Sequence, residues 1–336
     1  MTTFQDCSVG YKAESTFATY ATPDRWVEFT KESLKWAPNR KQGKGMRVGS
    51  RVARSARRVT PTAQGAGDIE FEIAAKGQGT LWEAAMGSSQ SNLVSGGLYQ
   101  QLHQFGDSLN SLTVQKGLPQ VDGTVDPYSF LGCTVDSFEI DSPNDDLLMA
   151  KVTLDCADYT TAQSYASPSY SAEPQDLFHF GQGVAEIGGT LTVPTTTALA
   201  STSGEITVGV RDFNLQVTNN VNVGRFNYGN SGRKAQQVIG GYREIKGKFT
   251  AEYDQTTLRD AFLNDTDVPL LFTWTGGTIG AGNAVFQVVL PVARLDGDVP
   301  EANDGDLITI DHNFTVLDGL TDDPLYLVQT TSDTAL

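Results

Sequence analysis

The sequence feature that most constrains the fold is a strict two-residue alternation of apolar and acidic side chains. It is clearest in "GDIEFEI", residues 67–73, where isoleucine and phenylalanine alternate with aspartate and glutamate. Successive side chains of a β-strand point to opposite faces, so this pattern predicts a sheet with one dry and one wet side. "GCTVDSFEI" and "LLMAKVTLDC" flank the acidic turn "DSPNDD", residues 141–146, and predict a hairpin. We therefore expect a mainly β fold.

Two short helices are predicted between the strands. In "GTLWEAAMG", Thr80 and Glu83 have the spacing of a capping box, and Gly87 is placed to end the helix. In "QTTLRDAFLND", Thr256 or Thr257 is the candidate cap. The apolar positions of this second helix predict buried side chains at Leu258, Phe262 and Leu263.

The order of predicted elements occurs twice along the chain. Strand, long basic loop, strand, helix, strand, acidic hairpin and strand follow one another in each half, and "LLMAKVTLDCAD" aligns without a gap with "LITIDHNFTVLD". We predict an internal duplication into two tandem modules, residues 1–165 and 166–336. Each is expected to be a β-sandwich or barrel with one short flanking α-helix and a long loop. Residues 160–176 predict the linker, and Leu325 to Val328 a last strand.

The charge is distributed unevenly. The chain has 24 Lys+Arg against 40 Asp+Glu, a net charge of -16. The segment of residues 39–59, the basic arm, nevertheless contains no acid. Its eight cations are Arg40, Lys41, Lys44, Arg47, Arg51, Arg54, Arg57 and Arg58.

The opposite charges fall on different elements in both halves. The long loop of the second half carries Arg225, Arg233 and Lys234. The candidate acidic counter-surface comprises Asp141, Asp145, Asp146, Asp296, Asp298, Glu301, Asp304 and Asp306. If the basic loops of one copy meet the acidic turns of another, copies stack head to tail and the contact propagates into a filament or tube. The alternative is a solvated basic loop.

The residues do not point to catalysis. His103, His179 and His312 are far apart, with no metal-binding spacing, and His312 is predicted to be a surface residue of a strand. "GNSG", residues 229–232, lacks the spacing of a nucleophile elbow. The acidic residues 296–306 could ligate calcium, but Pro300 falls on a ligand position of the calcium loop, which favours a solvated turn. We expect no enzyme activity, metal or cofactor.

The cysteine and hydropathy patterns are those of a protein folded in the cytosol. Cys7, Cys133 and Cys156 are an odd set, which predicts reduced thiols. No apolar run is long enough to span a bilayer. The sequence pI of about 4.5 argues against a general DNA binder, because phosphate is repelled by the mean charge.

Several segments resemble one known family. "VGYKAESTFATYATPDRWVEFTKESLKW", "RVARSARR", "GDIEFEIAAKGQGTLWEAAMG" and "LTVQKGLPQVDGTVDPYSFLGCTVDSFEI" resemble the major tail tube protein of bacteriophages with long, non-contractile tails. The resemblance implies tail-tube-like modules in rings whose inner sheets join across subunits. It places the family's stacking loop at Arg40 to Arg58 and at Arg225 to Lys234.

The same resemblance implies partners and a location. The rings stack into a tube through which double-stranded DNA passes without specific binding. A ring of six modules would need three of these chains. Tape measure protein and tail terminator are the other expected partners, and no membrane is expected. The protein would be made and assembled in the host cytoplasm and reside in the virion tail.

Three other functions remain open on the sequence. The chain could be another tail component, such as a tail terminator or the inner tube of a contractile tail. It could be a secreted β-sandwich binding module, which predicts a signal sequence and an aromatic platform. It could bind DNA through the basic arm, which predicts a strongly salt-dependent affinity.

Overall fold

The computed structural model describes residues 3–170, 177–206, 208–253, 256–297 and 308–336. The fold is mainly β, as predicted. Its described residues contain two α-helices, α1 (Gly79–Met86) and α2 (Thr257–Asn264). Three short 3-10 turns comprise Phe4–Asp6, Ser55–Arg57 and Phe180–Gln182.

Nineteen strands follow one another along the described residues. Those of the first half are β1 Ser8–Ala13, β2 Arg25–Val27, β3 Phe29–Glu32, β4 Lys35–Gln42, β5 Arg58–Glu72, β6 Gly87–Ser95, β7 Leu98–Phe105, β8 Leu112–Pro119, β9 Val125–Ser142 and β10 Met149–Thr160. Those of the second half are β11 Gly183–Ile187, β12 Thr190–Thr192, β13 Ser201–Ser203, β14 Val210–Thr218, β15 Glu244–Glu252, β16 Val268–Ile279, β17 Gly282–Asp296, β18 Thr309–Val316 and β19 Tyr326–Thr331.

The same order of antiparallel pairing occurs in each half. It runs β4-β5-β10-β9-β8-β1 in the first half and β14-β15-β18-β17-β16-β11 in the second. The pairs β9–β14 and β7–β19 join the two halves, so that 17 strands form one hydrogen-bonded network. β12 and β13 form a separate ribbon.

The register also agrees between the halves. Leu154 on β10 lies opposite Gly67 and Val135, and Phe314 on β18 lies opposite Gly247 and Leu295. Leu154 and Phe314 are the residues that the gap-free sequence alignment superimposes. A Cβ atom on Gly67 would lie 2.5 Å from the Cα of Leu34, so the strands approach too closely there for any side chain.

The core lies between the apolar faces of the sheet. Ile69 and Phe71 on β5, and Ile73 directly after it, are at most 1% exposed while the alternating acids remain accessible, which confirms the predicted alternation. Trp82 of α1 is fully buried, with its ring 6.2 Å from that of Phe71 and 5.8 Å from that of Phe286 on β17. Helix α1 therefore packs against strands from both halves.

The helix boundaries correct part of the sequence prediction. Thr80 does not cap α1, because the helix begins at Gly79 and the cap position belongs to Gln78. Gly87 ends α1 with φ 98°, a left-handed conformation that favours glycine, as expected. In α2 the cap position is Thr256 and Leu258 is buried, but Leu263 is 62% exposed, so its predicted burial is wrong.

The cysteines correct another expectation. Cys133 and Cys156 lie directly opposite each other on β9 and β10 and are joined in a disulfide. The prediction of reduced thiols is therefore wrong for this pair, because strand pairing brings together two residues that are 23 positions apart. Cys7 is the one free cysteine in the described chain.

The described residues contain neither a cluster arranged to bind a metal nor a helix that could span a membrane. No group of three or more histidine, cysteine, aspartate or glutamate side chains is arranged to hold a metal ion. Neither α1 nor α2 has the length and apolar character that a membrane span requires. His312 is not on the surface as predicted: it is buried, and its ring stacks on Phe249 at 5.1 Å.

Candidate assembly surfaces

The basic arm is a hairpin that extends beyond the body of the sheet. β4 pairs with β5 from Lys35 opposite Ala66 to Gln42 opposite Arg58. β10 accompanies β5 only as far as Gly65, so the rest of the hairpin has no strand on its other side among the described residues. The arm consequently exposes most of its length to solvent.

The cations of the arm lack acidic partners in the described part of the chain. Seven of the eight are exposed and Arg54 is half-buried. None of them forms an ion pair with a described residue. Met46 and Val48 at the tip are completely exposed and Val52 is 81% exposed. The arm thus presents positive charge and apolar surface together, which is the composition of a contact surface.

The second basic loop, residues 219–243 between β14 and β15, is placed differently. Lys234 has a side chain with 0% exposure and forms an ion pair with the buried carboxylate of Asp155 on β10. Gln237 donates from Nε2 to Asp155 Oδ2 at 2.9 Å. In this structure the ammonium group of Lys234 is therefore bound within the chain.

The rest of this loop also lies on the first half. Arg233 forms an ion pair with Asp158, and the N–H of Ala63 donates to the carbonyl of Gly232 at 3.1 Å. Arg225 is half-buried and donates to the carbonyl of Gln236 at 2.6 Å. The predicted cations of the second loop thus bind within the chain, while those of the basic arm do not.

The acidic counter-surface is described only in part. Asp145 and Asp146 are exposed in the turn between β9 and β10. Asp141 is half-buried, and burial raises the pKa of its carboxyl group although Asn214 donates to it at 3.1 Å. Asp296 is exposed at the end of β17 and accepts from Thr315 at 2.9 Å. Asp298, Glu301, Asp304 and Asp306 lie outside the described residues.

The basic and acidic elements lie at opposite ends of the sheet. β5 runs from Arg58, beside the basic arm, to Glu72, which lies opposite Met149 just after the acidic turn. β15 runs from Glu244, beside the second basic loop, to Glu252, which lies opposite Thr309. At about 3.3 Å per residue, β5 separates the two ends by roughly 45 Å.

Both halves point in the same direction. β14 pairs with β9 from Phe213 opposite Ser142 to Thr218 opposite Ser137. Its start is therefore beside the acidic turn of the first half, and its end leads into the second basic loop. Both basic loops leave the sheet at one end, and the turn of residues 143–148 lies at the other, together with Asp296.

A polar face crosses both halves without a break. Directly opposed residues form one row across eight strands. The row consists of Lys31, Glu70, Lys151, Glu139, Gln216, Lys246, Thr315 and Arg294. Of its four cations, Lys31 donates to Glu70 at 2.9 Å, Lys246 to Glu244 at 2.8 Å and Arg294 to Asp267 at 2.8 Å. Most cations of this face therefore lie next to a carboxylate.

The comparison with known families decides the identity of this architecture. The sequence model of the family described as phage tail tube protein matches residues 5–316, which is nearly the whole chain. The chain belongs to the phage tail tube family. No curated protein matches it significantly. The family assigns a structural role in the virion tail and agrees with the mainly β fold observed.

Sequence reasoning missed two features of this phage tail tube protein. It assigned Lys234 to a surface loop, because the partner Asp155 lies 79 positions away on another predicted element. It also gave no indication that β9 and β14 pair across the two halves. The only usable signal was the equal spacing of similar elements in both halves, which suggests equivalent strands but not which edges meet.

Proposed function

We propose that copies of this chain stack head to tail into the hollow tail tube of a phage with a long, non-contractile tail. The observation that carries this proposal is the separation of charge along one continuous sheet. Unpaired cations of the basic arm extend from one end, and exposed carboxylates, including Asp145, Asp146 and Asp296, lie at the other. Such a contact joins unlike surfaces and therefore propagates.

The repeated pairing order supports an internal duplication. Two modules in one chain, residues 1–165 and 166–336, would each contribute one unit to a ring of six, so that three chains form a ring. The equivalent registers at Gly67 and Gly247 and the identical order of six strands in each half favour this arrangement. The pairing of β9 with β14 would then be repeated between chains.

The polar face is the surface proposed to line the bore. Most of its cations lie next to a carboxylate, and the chain as a whole carries -16. Cations that are already paired with carboxylates displace few counterions from DNA, so double-stranded DNA passes without being held. Tape measure protein within the bore and tail terminator at one end are the proposed partners, with assembly in the host cytoplasm.

Neutralising the basic arm tests the stacking role. The variant Arg47→Gln/Arg51→Gln/Arg58→Gln removes three exposed cations that form no ion pair with any described residue. We expect it to remain folded, with stability within about 0.5 kcal/mol of the parent, and to form no tubes in negative-stain images. The parent should form hollow tubes of uniform width.

The matched control is Lys12→Gln/Arg211→Gln/Arg259→Gln, which removes three cations that form ion pairs within the chain. It should assemble like the parent. Tubes formed equally well by the arm variant would contradict the stacking role. A salt-dependent DNA affinity that the arm variant loses, without any tubes from the parent, would favour a DNA-binding function.

A further inference from the structure

An apolar cleft lies at the acidic end of the sheet, between β11 and the start of β14. It has a volume of about 260 Å³. We call it the aromatic cleft, and the residues that define it are Ser142, Phe180, Val184, Phe213, Phe272 and Trp274. An apolar cavity of about 150 Å³ accommodates one benzene ring. The aromatic cleft therefore has room for one or two apolar side chains.

The aromatic cleft borders the exposed turn between β9 and β10. Ser142, which lines the cleft, is the last residue of β9. On the other side, the N–H of Phe180 donates to the carbonyl of Asp146 in that turn at 2.9 Å. Arg211 and Asp212 also line the cleft and carry opposite charges. The net charge beside the cleft is consequently that of the aspartates in the turn.

The first half contains a cleft at the equivalent position. Each cleft is lined by a 3-10 turn, which precedes β1 in the first half and β11 in the second. The facing wall is β3 or β14, and each of these strands has a register shift at the same place. The shift falls between Phe29 and Lys31 in β3 and between Val210 and Asp212 in β14. The two clefts are therefore counterparts in the repeated architecture.

The two clefts differ in the side chains that line them. In the first half, Glu32 follows the register shift and forms an ion pair with Lys116 at 3.0 Å. Tyr170, from the segment after β10, also lines that cleft. In the second half, the residue at the place of Glu32 is Phe213, whose ring stacks on Phe272 with centroids 3.9 Å apart. Aromatic rings thus replace an ion pair in the aromatic cleft.

The tip of the basic arm has the complementary composition. Met46 is completely exposed and lies between the cations Lys44 and Arg47. Methionine is flexible enough to fill irregular apolar spaces, and its sulfur makes favourable contacts with aromatic rings. Because residues 58–64 of β5 extend about 20 Å beyond Gly65, the tip stands clear of the body of the sheet.

The arm and the cleft also match in number and direction. The described residues form one basic arm and one aromatic cleft, at opposite ends of the same sheet. Ser142 of the first half and the second-half residues complete the cleft within a single chain, so it exists before any copies meet. In a head-to-tail stack, every arm therefore faces one cleft of the next copy.

We propose that Met46 of the basic arm inserts into the aromatic cleft of the next copy, with Arg47 beside the exposed carboxylates of the turn between β9 and β10. This inference rests on the proposed tube and names the site that receives the arm. Charge attraction guides the approach of the two copies. Burial of the apolar tip then fixes the position of the arm.

Cross-linking tests which cleft receives the arm, because Cys7 already lines the counterpart cleft of the first half. In a Cys7→Ser background, Met46→Cys combined with Val184→Cys places one thiol on the arm and one in the aromatic cleft. Oxidised tubes of this variant should give ladders of linked copies under denaturing conditions. Met46→Cys with Cys7 retained probes the counterpart cleft and should remain uncross-linked.

Polar substitutions test the apolar contact without changing any charge. Met46 is completely exposed and Val184 is 57% exposed, so variants at both positions should remain folded. Met46→Gln should raise the critical concentration for tube formation about tenfold, because the apolar burial is lost. The matched control Met46→Leu should assemble like the parent.

Val184→Thr should raise the critical concentration in the same direction, and its control Val184→Ile should assemble like the parent. The combined variant Met46→Gln/Val184→Thr should show less than the product of the two single effects, because side chains in contact do not act independently.

The outcomes separate this inference from the proposed function. Hollow tubes in which Met46→Cys links to Cys7, and not to Val184→Cys, would show that the arm enters the other cleft and would overturn the inference alone. Unchanged critical concentrations in both Met46→Gln and Val184→Thr would overturn it as well. Absence of tubes from the parent under all conditions would reject the proposed function and this inference with it.

Discussion

Lys234 and Asp155 form a buried ion pair that fastens the second basic loop to strand β10 of the first half. The pair lies beside Gln237, which donates to both the carboxylate and the backbone carbonyl of Asp155. These side-chain contacts cross from one half of the chain to the other. The second basic loop therefore stabilises the contact between the two halves. The cations of the basic arm, in contrast, form no ion pair with any described residue.

Replacing Lys234 should destabilise the chain strongly. In Lys234→Met the carboxylate of Asp155 is left buried without its cation, which costs about 3–5 kcal/mol. Arg211→Met removes a cation whose ion pair with Glu252 is exposed on both sides, and should cost at most about 1 kcal/mol. Urea unfolding of both variants measures the difference. Equal losses of unfolding free energy in the two variants would show that the buried carboxylate of Asp155 does not require the charge of Lys234.

His103 should make the stability depend on pH. Burial lowers the pKa of this histidine to about 3, while the unfolded chain has a pKa near 6.5. The unfolded chain therefore binds the proton more readily, so stability is highest above pH 6.5 and falls as the pH drops towards 3. At pH 5, protonation of His103 in the unfolded chain lowers the free energy of unfolding by about 2 kcal/mol.

The variant His103→Asn should reduce this slope, as followed by urea unfolding between pH 7 and pH 5. Gln100→Asn shortens another buried side chain of β7 without removing a titrating group, and should retain the parental slope. An unchanged slope in His103→Asn would show that other groups cause the acid sensitivity.

The disulfide between Cys133 and Cys156 predicts a thiol count. Protein denatured without reductant should expose one reactive thiol, Cys7, and three after reduction. The cross-link closes a loop of moderate length, so reduction should lower the free energy of unfolding by about 3 kcal/mol. Three reactive thiols before reduction would instead support the reduced state that the sequence suggested.

Two equivalent glycines should be equally intolerant of a side chain. A Cβ atom on Gly67 or Gly247 would collide with the backbone of Leu34 or Asn214, respectively. Gly67→Ala and Gly247→Ala should each lower stability by about 1–3 kcal/mol, because the backbone of the adjacent strand must move. Thermal unfolding measures this loss.

Gly297 provides the control, since an added Cβ atom would meet nothing within 4 Å. Gly297→Ala should unfold at the parental temperature. A loss of thermal stability in only one of the variants Gly67→Ala and Gly247→Ala would weaken the case for a duplicated architecture.

Local patterns predicted the elements well because they depend on neighbouring residues. The alternation around Phe71 and the left-handed end of α1 at Gly87 follow from strand and cap geometry alone. Leu263 was misplaced because helical periodicity does not show which side of a short helix meets the core. Here Leu258 faces the core and Leu263 faces solvent.

Contacts between distant segments could not be read from the sequence. The ion pair between Lys116 and Glu32 joins residues that lie 84 positions apart. Cys133 and Cys156 were expected on adjoining strands, but only the register places them directly opposite each other. The charge pattern correctly identified the basic arm as a cluster of cations. It also grouped the arm with the second basic loop, whose cations bind carboxylates and a carbonyl group within the chain.

The unbroken course of β5 from Arg58 to Glu72 gives every subunit a direction. A polymer of such subunits has two chemically different tips, with guanidinium groups at one and carboxylates at the other. Proteins that begin and finish the polymer would then need opposite surface charge. A single factor could not serve at both tips.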